Sequence, residues 1–235
     1  MASTTEKGNA KNIANAFLLI EYITQLGANY NPNNDDILLP NLQSLYQLAS
    51  NHQNHVNALM APYVVAVDNR QLLFAQMNML VSKLYKMFSV TPNVTQAHLD
   101  DFMTISRRIK GRRRTQVNPD QNSHSVAHMS YAQRLNNFDI LISLLINTPS
   151  YQPHETQYQI ASLQLYKAQL QQSTDLVNVA LIELTEARSR NNHILYLSDH
   201  SLVDTFNLAR AYLLAITDFH SVQYHAIAKI IFKKN

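Results

Sequence analysis

Residues 42–63 read LQSLYQLASNHQNHVNALMAPY, and the placing of their apolar side chains decides the fold. Leu42, Leu45, Ala49, His52, Val56, Leu59 and Tyr63 fall close to a seven-residue repeat, which Ala66 and Leu73 continue. A helix brings residues seven apart back to one side, so this spacing draws an apolar seam along a single face. The helical pattern extends over 37–88. Pro62 sits inside it and is expected to kink or interrupt the helix, because proline removes a backbone bond and clashes one turn back.

A second seam runs through Leu163, Tyr166, Leu170, Val177, Ala180, Leu184, Ala187 and Ile194. It follows the turn Thr148-Pro149-Ser150-Tyr151-Gln152-Pro153. It is expected to break near Ser198-Asp199-His200-Ser201, where good capping residues cluster ahead of Leu202. Shorter amphipathic helices are expected at 13–26, 95–110, 135–146, 202–216 and 221–230. Only Gly8, Gly27 and Gly111 are glycine. A sheet protein needs many tight turns with positive φ, which glycine supplies most readily. The fold class that follows is all-α, an elongated helical bundle of long amphipathic helices.

The two halves of the chain agree at a constant offset of 121. Asn15 then matches Asn136, Phe17 matches Phe138, and the turn Tyr30-x-Pro32 matches Tyr151-x-Pro153. Leu42-Gln43 falls on Leu163-Gln164, Val56-Asn57 on Val177-Asn178, and Ala66 on Ala187. Apolar periodicity alone does not demand the Tyr-x-Pro turn or the Leu-Gln and Val-Asn pairs, so two tandem copies of one helical unit are expected. The organisation read from this is a disordered tail at 1–11, a first repeat at 12–110, a basic and polar linker at 111–128 and a second repeat at 129–235.

The two turns, the stretch Ile105-Ser-Arg-Arg-Ile109-Lys-Gly111, the stretch Leu202-Val203-Asp204-Thr205 and the ending from Gln223-Tyr224 to Lys234 together resemble two-repeat all-helical proteins of Bacteroidetes type. That resemblance covers most of the chain. It implies a helical fold and no assigned activity, so no residue role is carried over from it.

Cysteine is absent, which excludes disulfides, thiolate nucleophiles and cysteine-ligated metals. The first dozen residues are polar and contain no secretory apolar run. No apolar stretch reaches the roughly 20 residues that span a bilayer. A cytoplasmic location is expected, with non-classical export as the other route. Charged residues make up 15% of the chain and the net charge is +3, while Asn and Gln together outnumber the four charged types. A polar but weakly charged surface gains little electrostatic solubility and suits lateral association.

The strongest local signal is Arg107-Arg108-Ile109-Lys110-Gly111-Arg112-Arg113-Arg114. Such a run can neutralise phosphates of a nucleic acid or meet an anionic membrane surface. The repeat offers a structural account. At the offset of 121, Arg108, Arg112 and Arg113 fall on Lys229, Lys233 and Lys234, and cations in a last helical turn suit the helix dipole by about 0.3–1 kcal/mol each. The structural account is favoured, with Arg107, Arg108, Lys110, Arg112, Arg113 and Arg114 kept as the candidate polyanion site.

His52 with His55, and His124 with His128, have spacings that place two imidazoles on one side, but neither pair carries the glutamate of a His-Glu-x-x-His site. Glu183 and Glu186 share a face beside Arg188 and Arg190, as on a solvated ion-pair surface. No Gly-rich phosphate loop, nucleophile elbow or di-iron Glu-x-x-His pair is present. No catalytic, cofactor-binding or metal-ligating residue is therefore assigned. The function expected is a non-enzymatic scaffold whose partner is another copy of itself or another protein. Polyanion binding through 107–114 and a helical pore-forming or membrane-remodelling role are the alternatives.

Overall fold

The computed structural model describes residues 8–111 and 130–234. Among them are α1 (Asn9–Leu26), α2 (Leu39–Ser89), α3 (Gln96–Lys110), α4 (Tyr131–Ile146), α5 (Ile160–Asn192), α6 (Leu202–Ile216) and α7 (Val222–Ala228), and there is no strand. The fold class is all-α, as expected. α1 begins at Asn9, inside the stretch read as a tail. The linker read at 111–128 lies outside the described residues except for Gly111, as do Arg112, Arg113, Arg114, His124 and His128.

Both seams face inward, with their central positions buried and Leu45, Leu59, Tyr63 and Tyr166 half-buried. Leu42, Ala49 and Val56 on α2 are buried, as are Leu163, Leu170, Val177 and Leu184 on α5. Of the kink or interruption expected at Pro62, the interruption does not occur, for α2 is one helix of 51 residues that contains it. A proline inside a helix costs about 3 kcal/mol. One fully buried leucine returns about 1.5–3 kcal/mol, and the seam supplies several such residues on either side. Ala58, whose carbonyl loses its donor, is exposed, so water can serve it. The break expected at 198–201 is present: a π-helical turn, His193–Leu197, ends α5, and the Ser201 hydroxyl accepts from the Asp204 N–H to start α6.

The chain forms two compact units, Met1–Pro62 with Leu181–Asn235 (unit 1) and Tyr63–Ala180 (unit 2). Each takes chain from both of the sequence halves, so neither half is by itself one compact body.

Unit 1 packs Leu19, Ile23 and Leu42 with Leu195, Phe206, Leu213 and Ile227. Its turn after α1 is held by Tyr30, whose N–H donates to Gly27 O at 3.1 Å and whose hydroxyl donates to Ile37 O at 2.7 Å. After α7 the chain runs non-helically through 230–234 along α1. There the Asn12 Nδ2 donates to Lys233 O at 2.8 Å, the Lys233 N–H donates to Asn12 Oδ1 at 3.2 Å, and Asn15 Nδ2 donates to Ile231 O at 2.9 Å. Arg210 closes the end of α7 by donating to Ile227 O and Ala228 O.

Unit 2 packs Phe74, Met77, Leu84 and Phe88 of α2 with Phe102 and Ile109 of α3, Phe138 and Leu141 of α4, and Leu163 and Leu170 of α5. Its turn after α4 repeats the tyrosine bonds. The Tyr151 N–H donates to Thr148 O at 2.9 Å and its hydroxyl to Tyr158 O at 2.9 Å. These bonds recur at the offset of 121, but the inner faces of α1 and α4 do not. Asn12, Asn15, Ala16, Leu19, Ile20 and Ile23 are buried on α1; Arg134, Asn137, Phe138, Leu141, Ile142 and Leu145 are buried on α4. That pattern recurs at 122. The expected match of Phe17 with Phe138 therefore fails: Phe17 is 49% exposed and Phe138 0%. The one-residue difference is absorbed between Ile23 and Tyr30, where the 3₁₀ turn Gly27–Asn29 lengthens the connection.

A candidate polar cleft at the α3–α4 corner

The end of α3 carries the described part of the basic run. Thr95 starts this helix with a capping box shared with His98, and Gly111 stops it with a left-handed backbone (φ 65°, ψ 24°), a conformation that favours glycine. Arg107, Arg108 and Lys110 thus stand in the last turn, where the carbonyl end of the helix favours cations. Lys110 reaches back to α2, its Nζ donating to Ser82 Oγ at 2.8 Å. Arg108 is exposed, and Arg107 is half-buried.

Opposite them stands α4, started by the Ser130 hydroxyl, which accepts from the Gln133 N–H. Arg134, on the second turn, is buried with no carboxylate paired to it among the described residues. Its Nε donates to Ile109 O at 3.2 Å, and its Nη2 donates to Phe74 O at 2.9 Å and Asn78 Oδ1 at 3.2 Å. The guanidinium carbon lies 5.4 Å from the centre of the Phe74 ring. Burial draws the Arg134 pKa below the usual arginine value, while Tyr131 and Tyr166 oppose that shift. Arg134 therefore ties the end of α3 to α2 through carbonyl dipoles instead of an ion pair. Nearby, Arg70 stacks its guanidinium 4.1 Å over the Tyr131 ring.

Between the end of α3 and the first half of α4 lies a cleft of about 350 Å³, lined by Arg108, Gln133, Asn136, Asn137 and Ile140. Asn137 is 8% exposed and is one of the lining residues. The cleft combines a cation, carboxamide donors and acceptors, and one apolar wall. That set can bind polar or anionic groups, and it contains no nucleophile or general base. A second opening in unit 2, of about 530 Å³, lies between α2 and α5 and is lined by Leu72, Leu73, Gln76, Gln169, Gln172 and Leu176 among others.

The other sequence candidates are not brought together. His52 is half-buried and His55 exposed on α2, and among the described residues no group of three or more His, Cys, Asp or Glu side chains is placed to hold a metal. Glu186 pairs with Arg190 at 3.7 Å on an exposed face, as expected for that segment. No described helix is long and apolar enough to cross a membrane. Sequence reasoning passed over Arg134 and Asn137. Both occupy buried positions of the i, i+3, i+4, i+7 pattern that continues through Phe138 and Leu141, so a polar residue in an apolar phase was the signal. Comparison with family models, curated proteins and solved structures finds no match to this chain.

Proposed function

We propose that the protein is a non-enzymatic helical scaffold, built from two copies of one helical unit, that self-associates or binds a protein partner through its long helices. The observation that carries this reading is the apolar surface around the α2–α5 opening of unit 2. Leu72 is 64% exposed and Leu176 56%, and Val64, Val65, Leu165 and Val179 are exposed along the same helices. Each Å² of such surface removed from water contributes roughly 25 cal/mol, and Leu72 and Leu176 line one opening, where covering them by a partner is favourable. Support for two copies comes from the tyrosine turns, which repeat their bonds at 121, and from the α1 and α4 inner faces, which share one burial spacing.

Light scattering across a concentration series tests the reading. The expected result is a mass that rises above 26.8 kDa with concentration in the wild type and returns to 26.8 kDa in Leu72→Asp/Leu176→Asp. A monomer mass at every concentration, with no partner whose capture depends on these leucines, overturns it. Polyanion binding is the second reading, favoured by the absence of any carboxylate paired with Arg107 or Arg108 among the described residues. It requires affinity for nucleic acid that falls steeply with salt and is lost in Arg112→Ala/Arg113→Ala/Arg114→Ala.

A further inference from the structure

Within unit 2, α2 and α5 each carry a second stripe beside the buried seam. On α2 it is Val65, Asn69, Leu72, Gln76 and Met79, whose steps of four, three, four and three keep them on one side of a helix. All five are exposed, Val65 at 57%, Leu72 at 64% and Met79 at 60%. α5 repeats these steps at 165, 169, 172, 176 and 179, where Leu165, Leu176 and Val179 are exposed and Gln169 and Gln172 stand between them. The stripes border one opening, lined by Leu72 and Gln76 from α2 and by Gln172 and Leu176 from α5. Neither helix adjoins the chain that joins α3 to α4.

The core of unit 2 uses the other side of α2, through Phe74, Met77 and Leu84, so the stripe is not part of it. The stripe holds no charged residue from Val65 to Met79, so it does not select a charged partner. Its order is apolar, amide, apolar, amide, apolar, the same from either end, with Leu72 at the centre. A second copy laid against it in the opposite direction sets Val65 against Met79, Leu72 against Leu72 and Asn69 against Gln76. Apolar then meets apolar, and a carboxamide, at once donor and acceptor, meets its like. A twofold contact requires this self-complementarity, because each residue i that meets j is met by j in return.

We propose that unit 2 pairs with unit 2 of a second copy across these stripes, the two α2 helices running antiparallel about a twofold axis at Leu72. This contact presupposes that the α2–α5 surface is an association site, and adds its occupant and its register. The amides fix that register. A slip of one turn sets Asn69 and Gln76 against apolar side chains and covers their carboxamides without partners, which the paired register avoids. The α5 stripe, on the same opening, widens the contact through Leu165, Leu176 and Val179.

The chain has no cysteine, so single cysteines in the intact protein report the contact directly. Leu72→Cys, at an exposed position where the fold tolerates exchange, puts one thiol on the axis, where two copies come within disulfide reach. Val222→Cys, 86% exposed in unit 1, reports chance collision. Under mild oxidation at about 10 µM, Leu72→Cys is expected to form the covalent dimer about a hundredfold faster, because a formed contact holds its thiols at an effective concentration on the order of millimolar. Val65→Cys mixed with tagged Met79→Cys should join to each other faster than either joins to itself. Cross-linking of Leu72→Cys no faster than that of Val222→Cys overturns the proposal, as does a mixed pair no faster than its members. If the wild-type mass still rises with concentration in that case, the association reading stands and this contact alone fails. If the mass stays at 26.8 kDa and no partner depends on Leu72 and Leu176, both fail.

Discussion

α1 of unit 1 and α4 of unit 2 bury side chains in one spacing, yet differ in what their polar members do. In unit 1 asparagines take up backbone from the far end of the chain, Asn12 meeting Lys233 across 221 residues of sequence. In unit 2 an arginine takes up two carbonyls from nearby α2 and α3, and the neighbouring asparagine is left facing a cleft. The same helical frame thus holds distant chain in one unit and ties neighbouring helices together in the other. What differs most is which donor stands at the first position and how far it reaches.

The comparison breaks most sharply at the aromatic pair that sequence alignment joined and burial separates. Phe138→Ala should cost about 3–5 kcal/mol, the range for deleting a fully buried aromatic ring, whereas Phe17→Ala should stay within about 0.5 kcal/mol. Urea denaturation midpoints decide it, and equal losses would restore the constant offset of 121. Next in size is the pair of polar anchors. Arg134→Ala should cost about 2–4 kcal/mol, since it removes bonds to two carbonyls and opens space beside Phe74. Asn12→Ala should cost about 1–3 kcal/mol, and hydrogen exchange should rise at the Lys233 amide while amides of α3 stay protected.

The smallest effect is the best test of likeness. Tyr30→Phe and Tyr151→Phe each remove one hydroxyl that donates to a carbonyl seven residues on, at a cost of about 1 kcal/mol, and should agree within about 0.5 kcal/mol. Burial raises the Tyr151 phenol to about 12, with Glu155 and Tyr158 adding to the shift, and raises Tyr166 to about 12 against the pull of Arg134. Tyr30 is raised further by burial, with Tyr212 adding. The folded state therefore holds these protons more tightly than the unfolded chain, whose value is 10.0. Their stabilisation is complete below about pH 10 and is lost as pH rises through about 12. Thermal midpoints measured across that window should fall less steeply in Tyr151→Phe than in the wild type.

The seams and the tyrosine turns were readable because each is a local pattern. A period of seven places Leu42, Ala49 and Val56 on one face whatever else surrounds them, and Tyr-x-Pro marks a turn by its chemistry alone. The burial phase of α1 was not readable to one residue, because Phe17 and Ala16 are both apolar and only tertiary packing chooses between them. Pro62 leaves the helix unbroken for a related reason: the local penalty is real, but burial on both sides of it outweighs one missing bond. The α3–α4 corner could not be read at all from the basic run. Its chemistry depends on Arg134 and Asn137, which meet α3 only after the chain has turned back on itself.

The division of the chain has a consequence for the order in which the protein can be made. Unit 2 is one continuous stretch, 63–180, whereas unit 1 needs 1–62 together with 181–235. During synthesis the ribosome delivers everything unit 2 requires before unit 1 has its second portion, and domains fold as their chain emerges. Leu19, Ile23 and Leu42 must wait, with their apolar faces unburied, until Phe206, Leu213 and Ile227 arrive. Residues 1–62 are thus made before unit 2 but find their core after it.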